Sequence, residues 1–332
     1  MKQPKRTMIL KRVGLAILFV CLILAPVMIR DSYILHILII VGVNIMLAVS
    51  LRLILTIGEM SIAHMAFAAI GGYTSALLVM KLDLSTWLAL PLASLMGALA
   101  AVVIGFICLR LKGFYFALIT LAFGEVIIII ITQWRSLLGG YGGIGGIPRP
   151  DAIFGLEFGS KTSYYYLILI LVVITIAVLY RLEKSRVGKI FKAISRSDLL
   201  SESIGINVTG YKILAFSIAC FFAAAAGSFQ AHYYTVVAPG FFSLWGSIYC
   251  IIFVQVGGVG SIVGPILGAA FLTIIPESLR AAPEFYPVIY GTILIVAIML
   301  LPKGLISMPK QVGKVVINVR KRLHTGRGGY SL

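Results

Sequence analysis

Glu125 stands in the run A-F-G-E-V-I-I-I-I-I-T, a carboxylate with apolar residues on both sides. At the centre of a bilayer such a group costs about 2.5–3.5 kcal/mol on insertion scales, so it must face protein or water. Two chemistries fit: a polar group on a transport path or proton relay, or a hydrogen bond to a neighbouring helix, with Arg52 or His64 as partner. Asn44 and Gln255 are expected to hydrogen-bond between helices. Ser61, His64, Glu125 and Gln255 are the candidates for a transport path. Groups that make or break bonds are missing from the pattern. His36, His64, His232 and His324 lack metal-ligand spacing, and no G-x-S-x-G, H-E-x-x-H or Walker A pattern occurs, so neither a metal site nor ATP hydrolysis is expected of this chain. Gly140, Gly142 and Gly145 formally satisfy G-x-G-x-x-G, but an apolar span leads in and Pro148 and Pro150 follow. The nucleotide motif needs a strand before it and a helix after it, so these glycines read as a turn packed over the outer mouth of a bundle.

The elements that must position these residues are membrane spans. The 332 residues are 60% hydrophobic and 12% charged, with a mean hydropathy of +1.06. Uninterrupted apolar runs of helical length exclude ordinary soluble domains and disfavour an outer-membrane barrel, whose strands alternate apolar with polar residues. The fold expected is all-α, a polytopic transmembrane helical bundle. At roughly 20 residues per crossing, spans fall near 13–29, 33–55, 62–80, 86–109, 114–134, 164–182, 213–234, 244–256, 262–279 and 286–301. That is about ten, within a range of roughly 8–12. The third, rich in small residues, and the short eighth are candidates for broken or re-entrant helices. The basic start is followed by no A-x-A-like cleavage site, so the first helix is expected to be retained. The organisation expected is an N-terminus at 1–12, a membrane domain at 13–301 and a basic tail at 302–332. Cys21, Cys108, Cys220 and Cys250 read as small core residues.

Orientation follows from charge. With both termini in the cytoplasm, 22 of the 28 Lys and Arg lie inside, and the 6 outside are Arg30, Lys81, Arg135, Arg149, Lys161 and Arg280. The basic residues therefore retain loops rather than bind nucleic acid. The stretch 181–212 becomes the largest internal cytoplasmic piece. Within it Ile190, Phe191 and Ile194 share one helical face, and Lys189, Lys192 and Arg196 the other. Ser195 with Asp198 fits a capping box opening a second short helix, which Gly205 can close in a left-handed turn. The result is either a compact knob or an amphipathic segment lying on the anionic inner leaflet. Small residues recur every fourth position in three ladders: Ala68, Gly72 and Ala76; Ala219, Ala223, Gly227 and Ala231; Gly260, Gly264 and Gly268. Most of these are expected to pack helices closely within one bundle, and one ladder is open to a role at a subunit interface or along a moving gate.

The run G-K-I-F-K-A-I-S-R-S-D-L-L-S-E-S-I-G-I-N-V, followed by K-I-L-A-F, resembles the cytoplasmic coupling loop of permeases from branched-chain amino acid ATP-binding-cassette importers, of the LivM type. G-E-M-S-I-A-H-M-A-F (58–67), L-K-G-F-Y-F-A-L-I-T-L-A-F-G-E (111–125), G-G-I-G-G-I-P, V-G-G-V-G-S-I-V-G-P and L-P-K-G-L match the family pattern in order. Glu59 stands where the family usually has Gln, Ala63 where it has Gly, Ser195 where a basic residue is common, and Gln255 where an apolar one is. The resemblance implies a multi-pass permease subunit in a prokaryotic cell membrane, not an enzyme. It would pair with a second related permease, receive a branched-chain amino acid from an extracytoplasmic binding protein, and contact membrane lipid. Two partner ATPases would supply ATP and Mg. Gly188, Lys189, Lys192, Ala193, Arg196, Asp198, Glu202 and Gly205 are the residues it assigns to the ATPase-coupling loop. The departures leave urea or a short amide as alternative cargo. From the residues alone, an ion- or proton-coupled carrier using Glu125 is the other class.

Overall fold

The computed structural model describes residues 20–29, 31–152, 158–278, 291–292, 295, 299 and 304–307. With no water in the bilayer core, each spanning segment must satisfy its own backbone groups, and the apolar runs therefore close into helices. These are α1 (Ser32–Thr56), α2 (His64–Leu82), α3 (Thr86–Cys108), α4 (Phe114–Gln133), the single turn α5 (Arg135–Leu138), α6 (Lys161–Lys184), α7 (Arg186–Ile194), α8 (Asp198–Ser203), α9 (Val208–Tyr234), α10 (Leu244–Gly257) and α11 (Val263–Ser278). Residues 20–28 are also helical. Side-chain oxygens of Asp31, Ser85, Ser160, Ser185, Ser197 and Asn207 accept from first-turn N–H groups and start six of these helices.

Seven described segments are long and apolar enough to cross a membrane: α1, α2, α3, α4, α6, α9 and Pro239–Gly257, while Val263–Ile275 is shorter. The protein is a multi-pass helical membrane protein. Residues 13–19 of the expected first span and most of the tenth lie outside the described residues, as do the segments 1–12 and 308–332. The third expected span is one continuous helix. The eighth, 244–256, is likewise one continuous helix, α10; the 3-10 turn Pro239–Phe242 precedes it, separated by Ser243 in extended conformation.

The bundle is built around α9, which packs against α3, α2 and α1, while α1 carries α6, α10 and α11 on its other sides. Small residues permit this. A Cβ on Gly71 would run into the Ala224 carbonyl, one on Gly227 into the Ala68 carbonyl, and one on Gly97 into the Ala224 methyl. Ala219, Ala223 and Ala231 are buried on the same helix. On α11, Gly268 abuts the Phe253 carbonyl and Gly264 the Gly258 carbonyl. Gly260 corrects the third ladder, because it sits in the exposed turn ahead of α11 with open space around it. Cys108, Cys220 and Cys250 are buried, whereas Cys21 is exposed and so is not a core residue. Asn44 donates to Thr273 Oγ1 at 2.9 Å, joining α1 to α11.

One end of α9 carries the glycine-rich loop. β1 (Ile144–Gly145) pairs antiparallel with β2 (Val236–Val237), Ile144 opposite Val237. His232 Nδ1 donates to the Pro148 carbonyl, and its Nε2 meets Ser75 Oγ, both at 2.9 Å. Gly143 has φ +70 and no room for a Cβ against the Val237 carbonyl, which explains a glycine there without any nucleotide. At the other end of α9 lie α7 and α8.

Candidate functional site

The chain leaves α6 through Ser185, whose Oγ accepts from Gly188 N at 3.3 Å and starts α7. Gly188 is buried at this corner, where a Cβ would strike the Leu182 and Glu183 carbonyls. On α7, Phe191 and Ile194 are buried and Ile190 and Ala193 half-buried, while Lys189, Lys192 and, in the turn after the helix, Arg196 face solvent. Ser195 does not cap the next helix. It ends α7 and donates to the Lys192 carbonyl, and Ser197, accepting from Leu200 N at 3.2 Å, caps α8 instead. Two more residues are needed to turn the chain before it can be helical again. Gly205 closes α8 with φ +82, its N–H donating to the Glu202 carbonyl at 2.9 Å. Leu199, Leu200 and Ile204 are 78%, 69% and 72% exposed, large apolar groups with nothing over them, and Glu202 is exposed beside them. Their signal in the sequence was their number: D-L-L-S-E-S-I holds three apolar residues, and a six-residue helix has little buried face to receive them.

Two sets of ion pairs tie this knob to the bundle. Arg52 on α1 forks onto Glu183 at the end of α6, Nη1 to Oε2 at 3.0 Å, and its Nε donates to the Val259 carbonyl at 2.7 Å. Lys192 on α7 reaches the same carboxylate, Nζ to Oε1 at 2.9 Å. The second set starts at Glu59, in the non-helical segment 57–63 between α1 and α2. Its Oε1 receives Lys212 Nζ at 2.6 Å, and its Oε2 accepts from Gly113 N at 3.1 Å. Lys212, near the start of α9, also holds Asp198 Oδ2 at 2.9 Å, and Asp198 holds Lys112 Nζ at 2.8 Å. Lys112 precedes Gly113, so the contacts close a ring: Glu59, Lys212, Asp198, Lys112, Gly113 and back to Glu59. Lys212 and Glu59 are each 3% exposed, which an ion pair tolerates when further hydrogen bonds satisfy both groups. Burial pushes the Asp198 carboxyl up, but its hydrogen bonds to Lys112 and Lys212 and their charges outweigh this and hold its pKa below the usual value. The hydrogen bond to Asp198 raises that of Lys112. Sequence reasoning read these lysines as loop retention charges and missed Glu59, Glu183, Lys112 and Lys212 as partners. The available signal was an acidic residue in the last turn of a helix, Glu183, or just past one, Glu59, on the side of a basic loop.

The path candidates separate. Glu125 on α4 is half-buried and lines a narrow crevice, with room for about one water, together with Ile62, Ala63, Ala66, Phe242, Leu244 and Ser247. Among the described residues it makes no hydrogen bond or ion pair. Neither expected partner reaches it, since Arg52 is committed to Glu183 and His64 Nε2 meets Ser50 Oγ at 2.9 Å. Ser61 and His64 are fully buried and do not line the crevice. Ser61 Oγ accepts from Ala63 N at 3.4 Å, and His64 Nδ1 is buried without a partner among the described residues. Gln255 lies on an exposed face of α10, so it makes no bond across the interior of this bundle. Met65 N donates to Ser247 Oγ and Ile62 N to Thr120 Oγ1, both at 3.1 Å, pinning α10 and α4 around the start of α2.

The family described as "Branched-chain amino acid transport system / permease component" matches residues 33–301. The chain belongs to this permease family. The matched span takes in the permease's α7–α8 knob, the ring and the Glu125 crevice. The permease is 32% identical over 292 residues to the high-affinity branched-chain amino acid transport system permease protein LivM of Salmonella typhimurium, covering 81% of this chain and 67% of that one. Identity and coverage are the same for LivM of Escherichia coli. It is also 24% identical over 160 residues to the permease protein LivH of Escherichia coli, 47% of this chain and 51% of that one. No solved structure matches.

Proposed function

We propose that the permease is a membrane subunit of an ATP-binding-cassette importer for branched-chain amino acids, set in a prokaryotic cell membrane with both termini cytoplasmic. Its partners would be a second related permease, an extracytoplasmic binding protein that delivers Leu, Ile or Val, and two ATPases that bind ATP and Mg. The observation that carries this reading is the exposed apolar group Leu199 and Leu200 on α8 and Ile204 at its end, with exposed charges of both signs, Arg196 and Glu202, close by in the chain. A helix that buried itself in the inner leaflet would present its cations outward along one amphipathic face. Here an apolar tip with charges of both signs close by in the chain fits a groove on a folded protein. Closure of the ATPase pair would move α7 and α8, and with them the ends of α6 and α9. Cargo and ATP must favour different states of that element for transport to be coupled. Glu125 would line the path.

Copurification tests the docking. A tagged permease should bring down the ATPase made alongside it, and Leu200→Asp with Ile204→Asp should release the ATPase while the chain stays folded in detergent. Full retention of the ATPase by the double variant would sink the assignment of α8 as the docking element.

A further inference from the structure

We infer that the ring of Glu59, Lys212, Asp198 and Lys112 is the linkage by which movement of α8 reaches the segment 57–63 and the Glu125 crevice; this rests on the coupling function proposed for α8. Four parts of the chain meet in the ring. Asp198 belongs to α8, Lys212 to the first turns of α9, Lys112 and Gly113 to the entry of α4, and Glu59 to the buried non-helical segment before α2. Three and four residues after Glu59, Ile62 and Ala63 line the crevice, and Glu125 reaches it along α4, which starts just after Gly113. A pull on Asp198 therefore arrives at both walls of the crevice, through Lys212 and Glu59 on one side and through Lys112 on the other. Apolar packing would let α8 slide, whereas charges buried to this degree hold a fixed partner, because separating them leaves an uncompensated charge. By contrast, Arg52, Glu183 and Lys192 tie α7 to α1 and α6, three helices that contribute no residue to the crevice, whereas the segment 57–63 and α4, which the ring holds, both do.

Glu59 and Lys212 are positioning residues, and the readout is leucine taken up per ATP hydrolysed by the assembled importer in proteoliposomes. Glu59→Gln with Lys212→Met removes the buried pair without stranding a charge, since the new side-chain amide can still accept from Gly113 N and Asp198 keeps Lys112. This double variant should bind the ATPase and hydrolyse ATP, while leucine per ATP falls about fivefold or more, the lower edge of ordinary coupling between sites. Lys212→Arg, which still meets both carboxylates, should restore the wild-type ratio. Lys112→Met, at an exposed side chain, should lower the ratio less. An unchanged ratio in the double variant overturns the linkage and leaves the docking function standing. If the double variant does not assemble, an unchanged ratio in Lys112→Met overturns it instead. A wild-type permease that recruits no ATPase overturns both.

Discussion

Asp198 shows how one side chain sets the pH range over which the knob is held. Its carboxyl accepts from Lys112 and Lys212, and its folded pKa lies below the ordinary value of 3.8. A carboxyl depressed on folding contributes stability above its unfolded pKa and loses it as pH falls through the lower, folded one. Lys112 has the opposite sign: its pKa is raised above 10.5, so its contribution is complete below that value and fades as pH rises past it. Between about pH 5 and 8 both are fully present. Asp198→Asn should therefore cost about 1.5–3 kcal/mol, the usual loss for a hydrogen bond to a charged group, and the loss should be flat across that range. Melting of the purified protein from about pH 3 to 8 checks this. A gap between variant and wild type that shrinks well above about pH 5 would contradict the assignment. Glu125 was legible in the sequence because any carboxylate in an apolar run is costly, whereas the pairs of Glu59 and Glu183 were not. The buried partners Lys212 and Arg52 lie 153 and 131 residues away, and one chain records no spatial neighbours.

The helices themselves were easier to read than the contacts of their side chains. Apolar length fixed eight described segments to within a few residues, because a bilayer leaves a helix as the available way to satisfy the backbone. Where function bends the rule the reading failed: the knob's cap moved from Ser195 to Ser197, and Gly260 proved to be a turn rather than a packing surface. Spacing by four reports that a face is small, not which helix comes close to it. The structure supplies that for Gly227 of α9, which lies against the Ala68 carbonyl of α2. A methyl group there must push the two helices apart. Gly227→Ala should destabilise by about 1–3 kcal/mol through overpacking. Gly142→Ala, with open space around it, should change little. Comparing the melting temperatures of the two variants separates close approach from a general intolerance of glycine replacement.

At the scale of the whole molecule, charge and packing agree on two ends. Lys81 and Arg135 flank the side of the glycine-rich loop, and Lys161 donates there to the Ser32 carbonyl, at the start of α1. Arg52, Lys112 and the 181–212 knob gather at the opposite end of α9, a helix of 27 residues and so about 40 Å long. The excess of Lys and Arg at the knob end is what retention in the cytoplasm produces. The orientation proposed for this permease therefore makes a prediction at two residues. Tyr141 in the glycine-rich loop is 76% exposed and Leu200 on α8 is 69% exposed. With Cys21 replaced by Ala, the other described cysteines are buried and leave little background. Tyr141→Cys should react with a membrane-impermeant maleimide in intact spheroplasts and Leu200→Cys should not, with the order reversed in inside-out vesicles. The ATPase should also shield Leu200→Cys in those vesicles, since it would cover α8. Labelling of Leu200→Cys from the outside would place the knob beyond the reach of any ATP-driven partner, and the proposed importer would fail with it.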